Sequence, residues 1–83
     1  MYQIKIKKTA SKFIQSLDIK RKNKLKEVFK LLEKSPFILP YKKLDENIYR
    51  IRVGNLRILY EVNEKEVIIE IIKVGNRENF YSK

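Results

Sequence analysis

The chain has 83 residues, 43% of them hydrophobic, and carries 20 Lys and Arg against 10 Asp and Glu, for a formal net charge of +10 at pH 7. It contains no cysteine and no histidine, which excludes disulfides, thiolate zinc sites and nucleophiles or acid–base groups of those types. Since the carboxylates are also scattered, we expect no metal and no cofactor. The length predicts one domain over residues 1–83, and the charge indicates a polyanionic partner such as nucleic acid. Without a signal-peptide-like stretch or an apolar run of membrane-spanning length, we expect a cytoplasmic protein.

The first part of the sequence predicts one strand followed by two helices. Residues 2–7 alternate apolar and polar side chains, which is typical of a half-buried strand. Thr9 is predicted to cap a short first helix, and Asp18 is predicted to cap a second helix that runs to about Lys34. The apolar residues of the second helix follow a spacing of three and four: Leu25, Val28, Phe29 and Leu32. Ser35-Pro36 is expected to end this helix.

The second half predicts a loop and then three strands. Residues 36–47 contain two prolines and read as the loop. Strands are predicted over 48–53, 56–62 and 67–74, with Gly54-Asn55 as a type II′ hairpin turn. The third strand is nearly continuous in β-branched residues and is predicted to be central, with Gly75 allowing a turn at its end. The order β-α-α-β-β-β indicates an α+β fold, a mainly antiparallel sheet with two N-terminal helices packed on one face.

The proposed hairpin brings arginines together. A two-residue turn places Arg52 opposite Arg57 and directs both, with Arg50, to the face away from the helices. Directly opposed like charges destabilise a sheet, and the planar fork of arginine suits bidentate contact with phosphate. We therefore predict an anion-binding face. The alternative is a solvated sheet face whose charge is partly offset by Glu61 or Glu70.

The C-terminal segment adds two further residues to this prediction. Arg77 follows the last predicted strand and is expected to curl back over the sheet. Tyr81 has a hydroxyl that can form a hydrogen bond and a ring that can stack on a base. Phe80 is expected to pack in the core instead.

Three stretches of the sequence resemble the RelE/ParE superfamily of toxins from toxin–antitoxin systems: Lys43-Leu44, YRIRVGNLRILYEV over residues 49–62, and IIKVGNRENFY over residues 71–81. The resemblance covers essentially the whole chain, and the predicted fold agrees with it. RelE-like members are ribosome-dependent mRNA endonucleases, whereas ParE-like members poison DNA gyrase. The likeness favours the RelE branch, because every position that lines its mRNA site holds a residue of the right type. These positions are Arg50, Arg52, Arg57, Arg77 and Tyr81.

The resemblance implies a type II toxin that cleaves mRNA in the ribosomal A site by attack of the RNA's own 2′-hydroxyl on the adjacent phosphate. Arg50 and Arg57 would stabilise the negative charge that develops on the phosphate. Arg77 would bind the phosphate and support proton delivery to the 5′-oxygen leaving group. The usual RelE pattern has lysines at positions 50 and 52. Arginine does not give up its proton, so the general base would be Tyr81 or a loop lysine. The loop lysines are Lys42 and Lys43.

Partners follow from the same resemblance. Ribosome and mRNA are the expected targets, and a cognate antitoxin is expected to dock on the apolar edges of the helices and on an exposed sheet edge. The lysine-rich side of the second helix is expected to contact ribosomal RNA through Lys20, Lys22, Lys24 and Lys26. Two alternatives remain open. One is a ParE-like gyrase inhibitor without nuclease activity, and the other is a basic nucleic-acid-binding module whose arginines bind phosphate without catalysis.

Overall fold

The computed structural model describes residues 1–76, which form a five-stranded sheet with two helices packed against one face. The elements in chain order are β1 (Gln3–Ile6), α1 (Lys8–Gln15), α2 (Ile19–Lys34), β2 (Lys42–Lys43), β3 (Ile48–Val53), β4 (Leu56–Asn63) and β5 (Ile68–Asn76). The strands lie side by side in the order β1-β5-β4-β3-β2. β1 is parallel to β5, and the other neighbours are antiparallel. The predicted α+β fold is therefore confirmed.

Helix α2 begins and ends at the predicted residues. The side chain of Asp18 accepts a hydrogen bond from the backbone N–H of Arg21 at 3.3 Å, which is the expected N-cap contact. The same carboxylate lies 3.5 Å from the Nε of Arg21. The helix ends at Lys34 because Ser35 adopts extended backbone geometry ahead of Pro36.

Helix α1 differs from the prediction at its start. It begins at Lys8, and Lys7 occupies the N-cap position without a side-chain hydrogen bond. Thr9 therefore lies inside the first turn, and its predicted capping role is wrong. The backbone of Lys7 leaves the strand in an extended conformation, which starts the helix before Thr9 is reached. Within residues 1–76, no helix is long and apolar enough to cross a lipid bilayer.

The core lies between the helices and the sheet. Its buried members are Ala10, Leu25, Val28, Leu32, Tyr49, Ile51, Val53, Leu56, Ile58, Tyr60, Val62, Ile69, Ile71 and Val74. At its centre, the buried hydroxyl of Tyr60 donates a hydrogen bond to the carbonyl of Pro36 at 2.7 Å, which fixes the loop after α2 to the middle of the sheet. Burial raises the pKa of Tyr60 above its ordinary value, and the neighbouring phenols of Tyr49 and Tyr41 add to the effect.

The hairpin of β3 and β4 has the predicted register. Val53 pairs with Leu56 and Arg52 pairs with Arg57 across a two-residue turn. Gly54 has a φ of +61°, whereas Asn55 is not among the positive-φ residues of the described chain. That combination matches a type II′ turn, in which the first central residue requires a left-handed backbone that glycine adopts without strain.

The last strand and the loop before β3 differ from the prediction. β5 runs through Gly75 to Asn76, and Gly75 pairs with Arg57, so the predicted turn at Gly75 is wrong. The backbone pairing with β4 continues two residues further than the apolar pattern. β5 lies between β4 and β1, so its predicted place inside the sheet is confirmed, while β4 is the middle strand of the five. Lys42 and Lys43 form a two-residue strand inside the segment predicted as loop.

A bulge in β5 explains its irregular apolar pattern. Leu59 pairs with Lys73 and Tyr60 pairs with Ile71, so Ile72 is the extra residue. The insertion changes which face the following residues occupy. It keeps both Ile71 and Val74 on the helix side and sends Lys73 to the opposite side.

Candidate functional site

We call the face of the sheet opposite the helices the open face. On it, five cations of residues 1–76 lie in two rows across the strands near the hairpin. In the row nearest the hairpin turn, Arg52 of β3 lies opposite Arg57 of β4. In the next row, Lys42 of β2 lies opposite Arg50 of β3, and Lys73 of β5 is at the far end beyond β4. We call these five residues the basic rows. The structure thus brings together the three arginines predicted from the hairpin.

The two β3 arginines form no ion pair with the part of the chain that the structure describes. Within residues 1–76, neither Arg50 nor Arg52 has a carboxylate at ion-pair distance. Arg52 is exposed, whereas Arg57 across from it is half-buried and its Nε is shielded from solvent. Directly opposed side chains on an antiparallel pair lie about 5 Å apart, and like charges so placed destabilise it. A bound anion would offset this repulsion.

The carboxylates of the open face form a separate row. Glu61 of β4 pairs with Glu70 of β5, and Glu70 pairs in turn with Lys5 of β1. This row lies two residues along β4 from that of Arg50, or about 7 Å. Neither carboxylate forms an ion pair with an arginine in the described part of the chain. The open face is therefore polarised into a basic half and an acidic half.

The four predicted lysines of α2 do not share one side of the helix. Lys20 and Lys24 lie toward the hairpin, where both line a groove with residues 53–56. Lys22 and Lys26 are each two residues away, which is a rotation of about 200° around the helix axis. Lys20 and Lys24 therefore lie at the hairpin, and Lys24 also lines a groove with Arg50 and Arg52, whereas Lys22 and Lys26 lie on the other side of the helix.

The two loop lysines lie on opposite faces of the sheet. Lys42 belongs to the basic rows, opposite Arg50. Lys43 pairs with Tyr49, a core residue, and its Nζ is 6.0 Å from the centre of the Tyr49 ring. Lys43 thus lies toward the helix side of the sheet, and Lys42 is the loop lysine on the open face. The remaining predicted site residues, Arg77 and Tyr81, lie outside the described residues, as does Phe80.

Two residues of this region were not predicted. Lys73 reaches the basic rows only because of the bulge at Ile72, which a strict alternation pattern does not reveal. Tyr41 is 47% exposed and lines a groove of about 510 Å³ together with Lys42 and Arg50. An aromatic residue directly before two lysines was the available signal for Tyr41, because aromatic rings interleaved with cations are typical of nucleic-acid surfaces.

Known sequences resemble the chain along almost all of its length. Residues 4–81 match the family model described as the ParE toxin of the type II toxin–antitoxin system parDE. A curated protein of Methanocaldococcus jannaschii that carries the name RelE1 is 30% identical, over 96% of this chain and 94% of that protein.

Solved structures agree with the fold. The RelE of an archaeal RelE–RelB complex from Pyrococcus horikoshii OT3 is 29% identical, with a TM-score of 0.82 over 94% of this chain and 97% of that one. The RelB–RelE antitoxin–toxin complex from Methanococcus jannaschii is also similar, at 29% identity, with a TM-score of 0.72 over 89% of this chain and 91% of that one. The similarity therefore extends beyond the hairpin to the arrangement of helices and strands.

Proposed function

The chain belongs to the ParE toxin family, within the RelE/ParE superfamily of type II toxin–antitoxin toxins, and on that premise we propose that it is a ribosome-dependent mRNA endonuclease. The observation that carries this proposal is the pair of basic rows on the open face, where three arginines and two lysines converge. The relatives named RelE support this branch. We expect the protein to act in the cytoplasm, where ribosomes are found.

The proposed chemistry uses the RNA's own nucleophile. The 2′-hydroxyl loses its proton and attacks the adjacent phosphorus, and the bond from phosphorus to the 5′-oxygen breaks as that oxygen takes up a proton. The resulting product ends are a 2′,3′-cyclic phosphate and a 5′-hydroxyl. Arg50 and Arg57, on neighbouring strands of the open face, would hold the phosphate as its negative charge develops. Arg52 opposite Arg57 would add a further donor.

Proton transfer requires a residue other than arginine, because guanidinium remains protonated in proteins. Lys42 lies opposite Arg50 on the open face, and this position supports Lys42 as the proposed loop lysine that takes up the proton. Tyr81 remains the other proposed base, and Arg77 the proposed donor near the leaving group. Lys20 and Lys24, at the hairpin end of α2, would contact ribosomal RNA through salt-sensitive charge interactions.

The test is cleavage of mRNA on programmed ribosomes. Wild type should cut the mRNA in the A site and leave an mRNA with a 2′-deoxynucleotide before the cleaved phosphate intact. Lys30→Gln removes one cation from the outer side of α2 and should cleave like wild type. If wild type leaves ordinary mRNA intact on the ribosome, the endonuclease proposal is wrong.

A second candidate function is gyrase inhibition, favoured by the match to the ParE family description. This function would use the toxin as a binding protein and needs no phosphate chemistry on the open face. A supercoiling assay separates the two. An endonuclease should leave gyrase active at concentrations that abolish translation. A gyrase inhibitor should stop supercoiling at concentrations that leave translation active.

We also propose an antitoxin partner, because the relatives from two archaea were solved as complexes of RelE with RelB. Ile6 in edge strand β1 is 41% exposed and Ile19 at the start of α2 is 71% exposed, so both offer apolar surface to a partner. Ile6→Lys and Ile19→Lys should weaken binding of an antitoxin encoded next to this chain. Unchanged affinity of both variants would place the antitoxin elsewhere.

A further inference from the structure

A groove at the outer edge of β3 shares Lys42, Arg50 and Arg52 with the basic rows, but its remaining lining has no role in the chemistry above. It is bordered by α2, by residues 39–42 and by β3, is open to solvent, and has a volume of about 510 Å³. β2 pairs only with Tyr49 and Arg50, so within residues 1–76 no strand covers the edge of β3 from residue 51 to residue 53. On the premise of the endonuclease function, we propose that this groove holds a nucleotide of the mRNA next to the cleavage site, with its base stacked on Tyr41.

The ring of Tyr41 is held in place while part of it faces solvent. Its centre lies 5.2 Å from that of Phe37 and 5.4 Å from that of Tyr49, and the side chain is 47% exposed. A ring fixed by two aromatic neighbours loses little conformational freedom when a base stacks on it. Base–aromatic stacking is also tolerant of sequence, because every base has a π-face.

The charges of the groove favour a polyanion. Its lining includes four cations: Lys24, Lys42, Arg50 and Arg52. Among the described residues, the one carboxylate in this lining belongs to Glu27, whose Oε1 lies 4.0 Å from the Nζ of Lys24. The net charge of these side chains is therefore positive, as a phosphate backbone requires.

The groove is continuous with the basic rows. Arg50 and Arg52 belong to both, and Lys42 follows Tyr41 directly in the chain while lying opposite Arg50. Neighbouring strands are about 4.8 Å apart, so an RNA strand that crosses from β4 to β2 passes from the arginines to Lys42 in a short distance. The apolar floor of the groove, which includes Leu31 and Leu39, suits the flat face of a base.

The test is a double-mutant cycle between the protein and the mRNA. Cleavage rates on programmed ribosomes are measured at toxin concentrations below saturation, with mRNAs that carry a single abasic nucleotide at successive positions around the cleaved phosphate. Tyr41→Ala should lower the rate on intact mRNA about tenfold, the size expected for the loss of one base–aromatic stack. Tyr41→Phe, which retains the ring, should stay within about twofold of wild type.

A matched control comes from the same loop. Ile38 is 46% exposed but does not line the groove, so Ile38→Ala should cleave like wild type. Thermal unfolding of each variant separates loss of a contact from loss of the fold. At one abasic position next to the cleavage site, Tyr41→Ala should cause no further loss, because the base that stacks on the ring is already missing.

Three outcomes would overturn the stacking role. First, Tyr41→Ala could lower the cleavage rate by the same factor whichever nucleotide is abasic. Second, Tyr41→Phe could lower the cleavage rate as much as Tyr41→Ala does. Tyr41→Ala could also cleave normally while binding antitoxin more weakly, which would assign the groove to a protein partner. In all three, wild type still cleaves mRNA and the endonuclease function stands. If wild type does not cleave, the function and the stacking role fail together.

Discussion

On β3 and β4, the side chains that face the helices are apolar and buried, whereas those of the basic rows are cations that repel one another. Ile51 lies opposite Ile58 on the helix side, and both are almost fully buried. One residue further along β3, Arg52 lies opposite Arg57 on the open face. The first pair buries apolar surface in the core, whereas the second places like charges opposite each other, an arrangement that does not by itself stabilise a sheet. Substitutions on the two faces should therefore have opposite consequences.

The largest expected effect is on cleavage, through Arg50. Arg50→Gln should lower the rate of mRNA cleavage on programmed ribosomes about 100-fold or more, the usual cost of removing a donor aimed at developing charge. The free energy of unfolding should change by less than about 0.5 kcal/mol, because no ion pair is lost within the described residues. A parallel loss of stability would mean that Arg50 supports the fold instead.

The opposite substitution is Ile58→Ala on the helix side, where Ile58 is 0% exposed. Removing three buried carbons should lower the free energy of unfolding by about 3 kcal/mol, and Ile58→Val by about 1 kcal/mol. Denaturant unfolding measures both. The fraction that remains folded should cleave mRNA at the wild-type rate, and a selective loss of cleavage would contradict the division between the faces.

Alkaline pH tests the core through Tyr60. Burial raises the pKa of its phenol, so the unfolded chain ionises at this residue near pH 10 while the folded chain does not. The stabilisation is therefore complete below pH 10 and is lost as pH rises toward the folded pKa, by up to about 1.4 kcal/mol per pH unit. Above pH 10, unfolding of Tyr60→Phe should release one proton fewer than unfolding of wild type, so its free energy of unfolding should fall less steeply with pH. Identical slopes would mean that the phenol is not protected.

A strained turn offers a different kind of comparison. Val67 has a φ of +58°, a left-handed conformation that a β-branched residue adopts only with strain. Val67→Asn should raise the free energy of unfolding by about 1 kcal/mol, because asparagine tolerates this conformation. Cleavage should be unaffected, since the turn lies beyond the acidic row. A lower cleavage rate of Val67→Asn would indicate that the strained backbone at residue 67 contributes to cleavage.

The smallest expected effect is a gain in stability on the open face. Arg52→Glu replaces a like-charge pair with Arg57 by an opposite-charge pair. The free energy of unfolding should rise by about 0.5 kcal/mol at low salt and less at high salt. Chemical denaturation at two ionic strengths measures this difference. A loss of stability would show that the repulsion between the two arginines is not felt.

Short-range patterns in the sequence predicted the parts of the fold that depend on them. The register of β3 and β4 follows from Gly54-Asn55, because the turn length fixes which residues oppose each other. The Asp18 cap and the end of α2 before Pro36 are also set by adjacent residues. These elements placed Arg50 and Arg52 correctly on one face.

Features that depend on distant contacts were missed. Lys73 joins the basic rows through a bulge against β4, and Gly75 stays in the strand because β4 continues beside it. The two-residue spacing separates Lys20 and Lys24 from Lys22 and Lys26, but which pair lies beside the hairpin depends on how α2 rotates against the core. Tyr41 acquires its position from two aromatic neighbours, one of them on β3. Apart from the contact between Phe37 and Tyr41, these contacts join residues that are far apart in the sequence.

The most direct test of the division between the faces is to measure cleavage and unfolding on one double variant, Arg50→Gln with Arg52→Gln. The predicted result is that mRNA on programmed ribosomes stays essentially intact while the free energy of unfolding equals or exceeds that of wild type, because only repelling charges were removed. Normal cleavage, or a fall in the free energy of unfolding of more than about 1 kcal/mol, would contradict it.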